Sequence, residues 1–146
     1  IPSEWRMIIQ EEVDEFMRAH SGVSLRDTGI FDRGGWRIEM VRGTPPLVLR
    51  HSVDIAAYPI HRMPGIYVMR FIPDIFVERE GITFSVASQV RELWKQFSSY
   101  PLTADPGDLA NKGMCDNIRR KIGYRINNAW SKALSFSWQE AKELLF

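Results

Sequence analysis

The sequence predicts an α+β fold, an antiparallel sheet of about five strands packed against a cluster of helices. Three observations carry that expectation. Apolar residues recur at three- and four-residue steps near both ends of the chain, at Trp5, Ile8, Ile9, Val13, Phe16 and Met17 and again at Met114, Ile118, Ile122, Ile126 and Trp130. That spacing lines one face of a helix. Between them, Trp36, Ile38 and Met40 alternate with Arg37 and Glu39 immediately after Gly34-Gly35, which is the period of a half-buried strand following a sharp turn. The region from 43 to 80 is then cut into short apolar runs by Gly-Thr-Pro-Pro and Pro-Gly, connections too short for crossovers, so neighbouring strands run antiparallel.

Taken in order, Ser3–His20 reads as a helix, with Glu4 favoured by the positive end of the helix dipole and Gly22 as its stop. Glu11, Glu12, Asp14 and Glu15 form an acidic outer face, read as solvated surface. Ser24–Gly29 is polar and reads as a loop. Strands are expected at Trp36–Val41 and Leu47–His51, with Ser52–Ile60 ambiguous and a turn at His61–Gly65. Two further strands, Ile66–Ile72 and Ile75–Glu78, flank Pro73-Asp74, because proline lacks a ladder donor. From Thr83 the period turns helical, placing Val86, Val90, Leu93, Trp94 and Phe97 on one face. Tyr100–Asp108, with two prolines and a glycine, reads as a loop. A long helix around Met114–Trp130 follows, and Ser137 with Glu140 matches a capping box opening a last helix through Phe146.

The 146 residues fit a single domain spanning 1–146. A start at Ile1-Pro2 rather than Met reads as an excised piece of a longer polypeptide. With 19 basic and 18 acidic residues the net charge is +1, so any nucleic-acid contact must come from a local patch. Cys115 is alone, which excludes an internal disulfide, and no apolar run is long enough to span a membrane.

Few residue sets carry chemistry. His20, His51 and His61 are far apart in sequence and lack metal-ligand spacing, and one cysteine cannot complete a zinc site, so no metal or cofactor is expected. Cys115, on an apolar-striped helix, reads as a packed residue rather than a nucleophile. Pro73-Asp74 with Glu140-Ala141-Lys142 has the residue types of a restriction-type nuclease, but there the acid and lysine belong on a strand. No phosphate-binding glycine loop is present. The absence of a convergent acid, base or nucleophile argues against an enzyme. Arg119, Arg120, Lys121 and Arg125 form a basic cluster that reads either as an RNA-contacting face or as solvated helix surface.

The stretch Val13–Gly43, VDEFMRAHSGVSLRDTGIFDRGGWRIEMVRG, resembles the entry to the cap-binding domain of orthomyxovirus (thogotovirus-like) polymerase basic protein 2. Lys95–Tyr100, Gly107–Lys112 and Trp138–Phe146 resemble later segments of that family in the same order. The resemblance implies a non-catalytic module of a heterotrimeric viral RNA polymerase, acting in the host nucleus with the other subunits and with capped host messenger RNA in cap snatching. In that family two aromatic planes sandwich the cationic 7-methylguanine, a cation–π gain of about 2 kcal/mol when desolvated. A carboxylate reads the guanine edge, and basic groups take the phosphates.

Carried over residue by residue, Phe97 matches the sandwiching phenylalanine and Phe31 the aromatic that supports the nucleoside. Arg50 matches the family's arginine, and His51 takes the place of the second ring if the register slips by one. The guanine-reading glutamate falls near Ala56-Ala57, leaving Asp54 as the nearest acid, and the base-edge lysine falls near Phe71. The expectation is a degenerate pocket with weak or absent cap affinity, since losing both polar readers forfeits discrimination. Two alternatives stay open: capture retained through Phe97 and His51, or an unrelated RNA-binding or docking module using the Arg119–Arg125 helix.

Overall fold

In a computed structural model, which describes residues 2–27, 35–86, 100–136, 139, 140 and 143, the chain is α+β, with a six-stranded antiparallel sheet and two long helices. Helix α1 (Ser3–Ala19) leads into β1 (Ser24–Asp27), β2 (Trp36–Thr44), β3 (Leu47–Pro59), β4 (Tyr67–Arg79), β5 (Ile82–Ser85) and β6 (Tyr100–Ala104). A 3-10 turn at Pro106–Leu109, capped by the Asp105 side chain, precedes helix α2 (Lys112–Leu134). The sheet order is β1-β2-β3-β4-β5, and β6 joins β4 beside β5.

Strand parity divides the sheet into two faces. Ile38, Val53, Ile55, Met69, Phe71, Leu102 and Ala104 point to one side, where they pack with Trp5, Ile9 and Val13 of α1 and Ile118, Ile122, Ile126 and Trp130 of α2 in one core. A second cluster on the same face joins Leu49, Ile75 and Val77 to Val86 and Phe136. Both apolar helix stripes therefore bury as their spacing requires, except that Met114, at the first turn of α2, stays exposed. Asn111 caps α2 by accepting from the Met114 N–H at 3.0 Å. At the other end of α1, His20 stacks on Phe16 at 4.0 Å, its Nδ1 lying 2.9 Å from the Phe16 carbonyl, and Gly22 follows with φ of 83°.

Four expectations change. Ser24–Asp27 is a strand, not a loop; among the described residues it is the outermost strand and pairs with β2 alone, so little of it needs to be apolar. Thr83 lies within β5 rather than at the start of a helix, while the helix expected over 87–99 lies outside the described residues. Tyr100–Ala104 pairs with β4 and is a strand despite Pro101, which an edge position tolerates. The two strands expected around Pro73 are one strand of 13 residues.

The break in pairing explains how β4 runs through its proline. On its second side β4 pairs with β6 over 67–71 and with β5 over 76–79, leaving 72–75 paired to β3 only. The Ile75 N–H points to that open side, since it is taken by the Asp74 carboxylate at 2.7 Å. Two residues back, the nitrogen of Pro73 points the same way, so the missing donor removes no ladder bond.

Candidate functional site

The sheet face turned away from the helices carries charge. Arg26 on β1, Arg37 and Glu39 on β2, Arg50 and Asp54 on β3, and Arg70, Asp74 and Glu78 on β4 all project to it, four arginines and four carboxylates. Arg37, Glu39, Asp54 and Asp74 are each at least nine-tenths buried. A buried charge needs an ionic or hydrogen-bonding partner: Arg37 and Asp54 pair with each other, Glu39 faces Arg50, and Asp74 is hydrogen-bonded. Arg37 grips Asp54 with Nε to Oδ1 at 2.6 Å and Nη2 to Oδ2 at 3.0 Å, a bidentate pair. The same guanidinium lies 4.1 Å over the Phe76 ring. Burial opposes its charge, but the hydrogen bonds and charge of Asp54, then Glu39 and Asp74, outweigh burial and raise its pKa. Arg50 donates to Glu78 at 3.0 Å and lies 3.9 Å from Glu39. Asp74 accepts from the Ile75 N–H and from the Ser85 hydroxyl at 2.5 Å.

The structure brings two of the sequence-predicted nucleotide contacts together and separates a third. Arg50 and Asp54 share the charged face, where each has an ionic partner in the sheet. His51 points to the opposite side, between Met40 and Ile75 in the register, and is 1% exposed. Its Nε2 lies 2.7 Å from the Phe136 carbonyl, so the ring donates there, and Nδ1 has no partner among the described residues. Burial lowers its pKa against the effect of that hydrogen bond, and Arg42 lowers it further. In this position the imidazole has no open face on which a base could stack. Phe31 and Phe97 lie outside the described residues.

Sequence reading assigns no site role to Arg37, Glu39 or Glu78 and considers Asp74 only within a nuclease-type motif, although the signal for a shared charged face is present. Counting by twos from Arg50 reaches Ser52 and Asp54, and counting from Arg37 reaches Glu39, so each polar set shares a side of its strand. Of the charged atoms on this face, Glu39 Oε2 and Arg50 Nε are buried without a hydrogen-bond partner among the described residues.

The basic helix resolves into separate roles. Arg119 is ion-paired with Glu11 of α1, which raises its pKa and locks the two helices together. Glu12 lies against α2 near Gly123, and burial raises its carboxyl pKa despite the nearby Arg119. Part of the acidic face expected to be solvated is thus helix contact. Arg125 donates Nε to the Pro101 carbonyl at 3.3 Å, tying α2 to β6. Arg120 and Lys121 face outward. Among the described residues no three His, Cys, Asp or Glu side chains converge to hold a metal, and no helix is long and apolar enough to cross a membrane. No family model, curated protein or solved structure matches the chain.

Proposed function

We propose that this chain is a non-catalytic, cap-binding-type module of a viral polymerase subunit whose nucleotide pocket is closed, leaving a structural and docking role beside other polymerase subunits. One observation carries the reading: the polar residues that the resemblance assigns to the nucleotide are consumed within the sheet. Asp54, the nearest acid to the guanine reader, is held on both oxygens by Arg37. Arg50 is held by Glu78 and Glu39. His51, in the place of the second ring, is turned into the core. Freeing Asp54 would strand a buried guanidinium, a cost of several kcal/mol that a weak ligand cannot offset.

Charge supports the same conclusion. A cap carries a triphosphate, and of the arginines on this face the two in its middle, Arg37 and Arg50, are already ion-paired with carboxylates. An anion arriving there must compete with those carboxylates for the same guanidinium groups in a poorly solvated setting.

The test is calorimetric titration of 7-methyl-GTP and of GTP into the chain. The expected result is no saturable heat for either nucleotide up to millimolar concentration. Micromolar binding with preference for the methylated base would overturn the reading.

A further inference from the structure

The outward face of α2 sets exposed cations beside an exposed aromatic ring. From Asn117 to Leu134 the chain holds five basic residues, Arg119, Arg120, Lys121, Arg125 and Lys132, and no acid. This concentration stands out in a chain whose net charge is only +1. Arg119 is spent on Glu11, but Arg120 and Lys121 are exposed and have no carboxylate partner among the described residues. Arg120 makes only a long contact of 3.5 Å to Asn117.

One turn further along the same face stands Tyr124. At 70% exposed it is the most exposed large hydrophobic residue described, beyond Ile82 at 69% on the β5 edge. Residues three and four apart are neighbours on a helix surface, so Tyr124 lies directly beside Lys121 and Arg120. Asn128 and the exposed Asn127 follow in the next turn, and Asn127 holds the Gly123 carbonyl at 2.8 Å. The helix is long and anchored by Ile118, Ile122, Ile126 and Trp130 on its buried side, so the stripe is presented on a rigid support.

An exposed aromatic bracketed by unpaired cations matches a single strand of nucleic acid, whose bases stack on a flat ring while its phosphates take the cations. A duplex offers the phosphates but keeps its bases stacked internally. We infer that the outward face of α2 binds single-stranded nucleic acid, with Tyr124 stacking a base and Arg120 and Lys121 contacting phosphates. The inference does not depend on the fate of the pocket on the sheet.

The experiment is fluorescence anisotropy of a labelled single-stranded 12-nucleotide RNA with the full chain, across a salt series, with a duplex of the same length alongside. Wild-type chain binds the single strand more tightly than the duplex. Tyr124→Ala weakens binding roughly ten-fold at fixed salt, and Tyr124→Phe restores it, since the ring is what stacks. Arg120→Ala with Lys121→Ala flattens the slope of log affinity against log salt by about 1.4, two contacts at about 0.7 each. All three side chains concerned are at the surface, so melting temperatures should stay unchanged and verify that the fold is intact. Absence of binding by the wild-type chain at low salt, duplex binding equal to single-strand binding, or Tyr124→Ala binding like wild type would each overturn the inference.

Discussion

His51 illustrates how a single residue's role follows from the side of a strand on which it falls. Leu49, His51, Val53 and Ile55 alternate along β3, so parity alone assigns the imidazole to the apolar face. A reading by similarity of residue type, which sought an aromatic-like ring beside Arg50, placed it one step off that parity. The ring can donate to the Phe136 carbonyl only through a protonated Nε2, and adding a second proton would bury an Nδ1–H that has no acceptor among the described residues. Its folded pKa therefore lies below the ordinary 6.5, and the unfolded chain takes up a proton at a pH where the folded chain does not. Stability from this group is full above about 6.5 and is lost as the pH falls below it. Chemical denaturation of wild type and His51→Gln between pH 7.5 and 5.5 measures this. Glutamine keeps a donor for Phe136 without the titration, so the wild-type curve should fall more steeply, the difference in slope approaching about 1.4 kcal/mol per pH unit. Parallel curves would show that His51 titrates normally.

Among the elements, β4 is the one that the sequence concealed. Pro73 predicts two strands, as it would in a strand paired throughout on both sides. The chain evades this by dividing the second side between β6 and β5 and leaving the proline in the gap. Asp74 occupies that gap, satisfying the Ile75 N–H and bonding the Ser85 hydroxyl of β5. Replacing Asp74 by alanine leaves the buried N–H and hydroxyl short of an acceptor, with an expected loss of about 1–3 kcal/mol in urea denaturation at unchanged m-value. Asp74→Asn, which retains one acceptor oxygen, should lose less. Equal stability of Asp74→Ala and wild type would remove the carboxylate from this account. Other elements were plainer. The stripes of α1 and α2 and the alternation at Trp36–Met40 each bury one face against a single core, so periodicity reported them directly. Edge strands Ser24–Asp27 and Tyr100–Ala104 pair on one side only, and their composition carried no comparable signal. Over Ser52–Ala56 both faces are buried, which erases the alternation that marks a half-exposed strand.

At the scale of the whole molecule, the sheet separates two kinds of chemistry. Helices and apolar residues fill one side, and a network of paired arginines and carboxylates fills the other. Sequence reading named two members of that network, Arg50 and Asp54, but not the partners that occupy them, since Arg37 is 17 residues from Asp54 and Glu78 is 28 from Arg50. Only the antiparallel register brings them together. The central claim is that these partners, rather than a nucleotide, complete the charged face. The most direct measurement is NMR of the arginine Nε–Hε groups with and without 7-methyl-GTP. Arg37, bonded to Asp54 at 2.6 Å, should give a sharp, slowly exchanging signal that does not move up to millimolar nucleotide. A saturable shift of the Arg37 or Arg50 signal with the methylated nucleotide, and not with GTP, would contradict the account.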